Sequence, residues 1–399
     1  MTSKPTSSSK RPPAPAAASS GLDIDARLPL LGGLSPAQFM KRHWQKQPLL
    51  VRQALPGVQP PIDRAGLAAL AASDEVESRL VAQQPGDRWT LRQGPIPKLP
   101  AWSKPQWTLL VQGLDLHVDA AHDLLGRFRF VPEARLDDLM LSYASEGGGV
   151  GPHFDSYDVF LIQVSGRRHW RIGRLGVSTS GALREDVPLK VLADFEPEQD
   201  FVLEPGDMLY LPPGWAHDGV AEGECMTCSI GFRAAGRDEL AREVMQRSLD
   251  AADADECGPL YRDPDQTATA TPAREPIGGE RLQSLGHARL LADRDALACA
   301  LGEVLSEPKR GVWFDARSAH GSERGARLDQ RTRALYDDRH FYINGESFRA
   351  AGRDARLMHR LADARVLTAK EVAALSPAAR ALLGVWIEAG WVQGHGDEP

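Results

Sequence analysis

Nowhere in these 399 residues is there a run of about 18 apolar residues, so no segment reads as a membrane-spanning helix. Cysteine is scarce: 4 residues in a chain of this length make no disulfide framework. Positive charge is not in excess either. With Lys+Arg 47 against Asp+Glu 54, the formal net charge is -7. A protein built to coat nucleic acid needs a basic face to neutralise phosphates, and this balance argues against one. The HExxH pattern that supplies two histidines from one helix in many zinc hydrolases is missing. The opening MTSKPTSSSKRPPAPAAASS lacks the apolar centre of a secretory signal. Its Pro, Ser, Ala and Lys cannot bury enough surface to order a backbone, so residues 1–20 are expected to be a disordered tail. These absences together point to a reduced, cytoplasmic setting.

What is present looks globular. Hydrophobic residues make up 42% and charged residues 25%, ordinary usage for a folded chain. The length exceeds what a single core usually fills, so more than one domain is expected. Residues 22–50 read as helical, with Ser35 and Pro36 as N-cap and first helical position. WTLLVQGLDL, from Trp107, reads as a buried strand and a turn. Over residues 136–233 short aromatic and β-branched strands follow one another, punctuated by SG, PGD and PPG, the texture of a barrel or jelly roll. Past Ala235 the pattern turns helical, with a Pro- and Asp-containing linker over 258–276. Beyond Pro308 strand-like GVWF and HFYING accompany two helical stretches, a winged-helix pattern.

The chemistry is concentrated at His153-Phe154-Asp155. Residues i and i+2 of a strand share a face, so one imidazole and one carboxylate point the same way. LPPGWAHDG supplies a third candidate ligand, His217, from a segment remote in sequence. Two histidines and one carboxylate leave coordination positions open, the arrangement of non-haem iron(II) oxygenases. An oxygenase that uses a 2-oxo diacid must also grip a distal carboxylate, which the planar fork of arginine suits. SGRRHWRIG offers Arg167, Arg168 and Arg171. With residues 155–164 as one strand, SG as a turn and the arginines opening the return strand, alternation puts Arg168 with Trp170 and the other two with His169. Spacing alone leaves the choice open. Cys225 and Cys228 form a CxxC, but a separation of three in a strand sends the thiols to opposite faces, so they read as packing residues. His117, His122 and His169 read as ordinary surface or packing residues.

GGGVGPHFDSYDVFLIQVSGRRHWRIG, EPGDMLYLPPGWAHDG and HWQKQPLLVRQALPG together resemble the bacterial cupin-type JmjC ribosomal oxygenases. The resemblance implies a double-stranded β-helix (jelly-roll) core over residues 21–236, a helical dimerisation segment over 237–305 and a C-terminal winged helix over 306–399. It implies iron(II) held by His153, Asp155 and His217, with 2-oxoglutarate held by Arg168 and Ser142 and dioxygen as the second cosubstrate. Ala144 stands where relatives can carry another serine, and His169 where a third arginine can occur. The implied reaction hydroxylates the β-carbon of an arginine in a basic ribosomal protein of the large subunit, and the implied assembly is a homodimer. Tyr143, Glu146 and Asp158 border the metal in sequence and are candidates to meet the guanidinium. Histidine hydroxylation and lysine demethylation use the same iron chemistry and remain alternatives. A non-catalytic cupin with a nucleic-acid- or protein-binding winged helix is the alternative outside the enzymes, although no basic recognition stripe stands out in the C-terminal unit.

Overall fold

The computed structural model of the chain describes residues 22–250 and 294–394, except 87, 177–178, 310 and 317–324. The tail expected over 1–20 and the linker over 258–276 lie outside the described residues. In the first third, α1 (Pro36–Arg42), α2 (Arg64–Ala71) and α3 (Asp119–Gly126) alternate with β1 (Leu49–Val51), β2 (Ser78–Gln84), β3 (Arg88–Gln93) and β4 (Trp107–Val111). Ser35 does cap α1. Its hydroxyl accepts the Gln38 N–H, and the Gln38 side chain accepts the Ser35 N–H in return. The helical reading of 22–50 is otherwise too broad. The α-helix stops at Arg42, and residues 49–51 extend to pair antiparallel with residues 208–210. An available sheet edge overrides the local helical pattern there.

The remaining strands of the barrel are β5 (Leu136–Ala144), β6 (His153–Phe154), β7 (Val159–Arg174), β8 (Gln199–Leu203), β9 (Met208–Leu211) and β10 (Trp215–Phe232). Ten strands share one antiparallel sheet, ordered β1-β9-β7-β10-β5-β4-β2-β3, with β6 on β10 and β8 on β7. The two long strands close it. The first half of β7 pairs with β9 and its second half with β8, while β10 takes β6 along its first half and β5 along its second. Each long strand thus serves both walls of a double-stranded β-helix, and the walls part at a register shift between Glu222 and Met226.

That bend corrects one expectation. The SG in β7 is no reversal, and the strand runs on through it. Gly166 takes φ 63° there, and a Cβ on it would lie 2.1 Å from the Glu224 carbonyl oxygen. Only glycine permits β7 and β10 to approach so closely at the bend. One side of the barrel packs on Phe39, Trp44, Phe160, Tyr210 and Phe232; Phe39 meets Tyr210 edge-on at a centroid separation of 4.9 Å, and Trp44 stacks on Tyr210 at 6.1 Å.

After the barrel, α4 (Arg237–Asp250) packs against α5 (Arg294–Ser306). The C-terminal unit contains β11 (Gly325–Leu328), β12 (Ala334–Tyr336), β13 (His340–Ile343), β14 (Glu346–Arg349), α6 (Gly352–Ala364), β15 (Val366–Thr368), α7 (Ala369–Ala374), α8 (Pro377–Glu388) and β16 (Val392–Gly394). It is a winged helix whose core centres on Phe341, Leu361 and Trp386. HFYING supplies β13 as expected, whereas GVWF joins no strand. Among the described residues no helix is long and apolar enough to cross a membrane.

Candidate metal centre

Pairing of β6 with β10 places His153 directly opposite His217, so residues far apart in sequence become neighbours through sheet register. The two rings lie 4.2 Å apart between centroids. Asp155 follows β6, and its Oδ2 is 3.7 Å from His217 Nε2. One ligand atom from each of the three lies within 4.8 Å of the others, and no other such group of three His, Cys, Asp or Glu occurs among the described residues.

The tautomers suit a metal. His153 Nδ1 faces the Gly151 carbonyl at 2.9 Å and His217 Nδ1 faces the Trp215 carbonyl at 3.0 Å. A carbonyl can only accept, so each Nδ1 carries the proton and each Nε2 keeps its lone pair. Burial, reinforced by His153, holds the His217 imidazole neutral, well below the usual histidine range. Two imidazoles and a carboxylate, each histidine braced by a carbonyl behind it, are a donor set that fits a divalent metal.

The three residues open onto a cavity of about 500 Å³. Deeper in the same cavity lies Arg168, whose Nη1 donates to Ser142 Oγ at 3.3 Å and whose Nη2 donates to the Gly219 carbonyl at 3.1 Å. Its guanidinium sits 5.0 Å from the Trp170 ring centre. Arg168 Nε has no hydrogen-bond partner, and among the described residues no carboxylate pairs with this buried cation. Burial alone is costly to a charge, and this one is short of its counter-ion. A small dianion entering the cavity would supply it. Gly219 belongs to the same design: a Cβ there would fall 2.8 Å from Arg168 Nε and 2.7 Å from the Trp170 ring. The neighbouring arginines face away. Arg167 pairs with Glu222 and Glu204, Arg171 with Asp218, and His169 with Asp200.

The three candidates for meeting a substrate guanidinium are not among the cavity-lining residues. Tyr143 turns to the opposite face of β5 from Ser142, packs edge-on against Trp102 and tilted against Trp107, and donates its hydroxyl to Glu224. Asp158 is buried beside the aromatic core, accepting from Tyr210 at 2.6 Å and from Gln45 at 3.0 Å. Glu146 accepts the Gly223 N–H. Closeness in sequence misled here, because adjacent strand residues point to opposite faces. The carboxylates that do line the cavity, besides Asp155, are Asp137 and Asp138. Asp138, Met140 and Ser142 share a face of β5 by the two-residue period, a signal present in LDDLMLSYAS. Cys225 and Cys228 both lie buried, Cys228 in the main core and Cys225 in a small cluster with Ala144 and Ala221. Neither belongs to the triad.

The JmjC domain family matches residues 123–240, and the ROXA-like winged helix matches residues 289–393. The ribosomal protein uL16 3-hydroxylase of Escherichia coli is 40% identical over 242 residues, which cover 59% of this chain and 61% of that relative, less than two thirds of its length. The crystal structure of Escherichia coli YcfD superposes with a TM-score of 0.79 at 31% identity, covering 90% of this chain and 97% of that one. A structure of YcfD, described as a ribosomal oxygenase, in complex with cobalt and 2-oxoglutarate superposes with a TM-score of 0.76 at 30% identity, covering 90% and 98%.

Proposed function

The chain belongs to the JmjC ribosomal oxygenases, and from that premise we propose that it hydroxylates the β-carbon of an arginine in a large-subunit ribosomal protein, with uL16 the expected substrate. The observation that carries this reading is the shared cavity: the His153, Asp155 and His217 group and the unpaired Arg168 open onto the same space. His153, Asp155 and His217 would hold iron(II), and Arg168 with Ser142 would take the distal carboxylate of 2-oxoglutarate in a charge-assisted pair. Iron(II) with 2-oxoglutarate and dioxygen supplies the power to convert a C–H bond into C–OH, with succinate and carbon dioxide as coproducts.

This chain's own residues orient and exclude. Trp170 and Gly219 hold the Arg168 guanidinium against one end of the cavity, so the cosubstrate's distal carboxylate has one place to go. Asp137 and Asp138 give another wall negative charge, which favours a cationic side chain among the possible targets. That charge supports arginine over histidine, and the test below separates it from lysine. We assign residues 21–236 to the catalytic unit and 306–399 to the winged-helix unit, and place the protein in the cytoplasm. A homodimer built through residues 237–305 is part of the same reading, and light scattering on the full chain at twice the monomer mass would support it.

The decisive experiment gives purified protein iron(II), 2-oxoglutarate and air together with peptides of uL16, and reads the peptides by mass spectrometry. One oxygen gained on a single arginine, absent with His217→Ala, is the expected result. Succinate formation without peptide oxidation would keep the oxygenase and remove the ribosomal substrate. Demethylation of a methyl-lysine peptide, or oxygen gained on histidine, would redirect the reading within the family. No succinate at all would leave a non-catalytic binding protein.

A further inference from the structure

The acidic wall of the cavity is not self-sufficient. Asp138 is buried, and its Oδ2 accepts the Gly113 N–H at 3.0 Å. Its Oδ1 lies toward Gly231, a cavity-lining residue on which an added Cβ would sit 3.3 Å from that oxygen, and makes no hydrogen bond among the described residues. One oxygen is therefore tied down and the other faces the space a substrate side chain would enter. Asp137 adjoins it in sequence, and buried Asp115 stands behind, its Oδ1 accepting the Leu139 N–H at 2.8 Å. Three carboxylates crowd one corner. Like charges so close resist joint ionisation.

A single lysine joins them. Lys309 Nζ lies 2.9 Å from Asp137 Oδ1 and 3.5 Å from Asp138 Oδ2. It comes from the segment that leaves α5 toward the winged helix, outside the barrel fold altogether. Asp137 has a second, more distant cation in Arg233 at 3.6 Å, whereas Lys309 provides the ion pair of Asp138 among the described residues. We propose that Lys309 is a positioning residue: it balances the carboxylate cluster so that Asp138 presents a charged oxygen to the cationic side chain of the substrate. This rests on the reading of the cavity as a site for a cationic side chain. The balance of forces agrees with it. Burial pushes the Asp138 carboxyl up, Lys309 pulls it down, and Asp137 pushes it up again. Without Lys309, burial and Asp137 still favour the neutral acid, and the Gly113 N–H is left to oppose them.

The alternative role for a lysine here is competitor, filling the substrate's place. Geometry speaks against it. Lys309 is not among the cavity-lining residues, and it approaches the Asp138 oxygen that already accepts from Gly113, not the one facing the cavity.

The test compares binding of a peptide carrying the substrate arginine with its citrulline counterpart, which keeps the shape and removes the charge. The full-length wild type is expected to prefer the arginine peptide by about tenfold or more, as charge recognition at a desolvated site does. Lys309→Met is expected to erase most of that preference, and in turnover to raise KM for the peptide with kcat little changed. Lys309→Met combined with Asp137→Asn removes a negative charge along with the positive one and is expected to restore the preference. That pair also serves where the single variant folds poorly, because its charges stay balanced. A wild-type preference retained in Lys309→Met overturns the proposal, as does a double variant that stays indifferent to charge. A wild type that binds both peptides equally removes the cationic-site reading and the role of Lys309 with it.

Discussion

Arginines are withdrawn from solvent in two regions of this molecule, partly in one and fully in the other, and they are treated in opposite ways. At the seam between barrel and winged helix, Arg129 donates to Glu133 at 2.6 Å and to the carbonyls of Asp363 and Ala362. Arg333 donates to the carbonyls of Glu133 and Leu136, and Arg365 to those of Asp329 and Thr332. Gln330 adds a bond to the Leu116 carbonyl. Every one of these guanidinium groups is held by carbonyl oxygens, and Glu133 contributes a carboxylate to two of them. In the barrel, Arg168 has a hydroxyl, one carbonyl and an empty Nε. A guanidinium satisfied by its own protein is a fastener. One left short of a counter-ion beside a cavity is a receptor, because the missing interaction can come only from a ligand.

The sharpest way to break that comparison is to remove Arg168. Arg168→Met is expected to raise the apparent KM for 2-oxoglutarate by about two orders of magnitude, near 3 kcal/mol, as loss of one partner of a buried charge pair does. Its thermal midpoint should hold or rise, since the deleted charge had no counter-ion in the protein. A fall in stability equal to that of a seam variant would erase the distinction.

The reciprocal change is Arg129→Ala. It takes from Glu133 its nearest partner and leaves Arg365 at 3.8 Å; burial pushes this carboxyl up, and Arg129 and Arg365 together hold it below the usual range. A stability loss of about 2 kcal/mol is expected in denaturant titrations, with the KM for 2-oxoglutarate unmoved. The sign with pH follows from the depressed carboxyl. Its contribution is present above the ordinary glutamate range and is lost as pH falls through the lower folded-state value. The gap between wild type and Arg129→Ala should therefore narrow in acid.

The smallest effect sharpens the acidic side of the picture. Burial pushes Asp115 up to about 6, in spite of its bond from Leu139 and the nearby Lys309. A raised carboxyl opposes folding once it ionises, so Asp115→Asn, which keeps an acceptor for the Leu139 N–H, is expected to stabilise the protein by about 1–2 kcal/mol above that pH. The gain should shrink as pH falls from about 6 toward the ordinary aspartate value, where both side chains are neutral. Thermal melts across that range read it directly, and a gain independent of pH would point to packing instead of charge.

Much of this architecture was legible in the sequence. Period-two alternation announced the strands over residues 136–233, and the same alternation sends Arg168 inward with Trp170 and Arg167 outward to Glu222. Ser35 and Pro36 announced a helix start, and the structure has it there. Other local signals pointed the wrong way. SG reads as a turn in isolation, and only the close passage of β10 beneath Gly166 reveals a bend in a continuous strand. Tyr143, Glu146 and Asp158 sit near the metal residues in sequence but serve packing and hydrogen bonds elsewhere.

The sequence by itself determined what depends on nearest neighbours along the chain: strand periodicity, helix capping, and the identities of His153, Asp155 and His217 as a donor set. Tertiary structure decided what depends on groups meeting across long separations. Sheet register set His217 against His153, a barrel wall left Arg168 without a counter-ion, and a lysine from beyond the barrel came to rest on Asp137 and Asp138. The physical reason is the range of the interactions. Backbone preferences act over a few residues, whereas burial and charge act through space, and space is assigned only when the whole chain has closed.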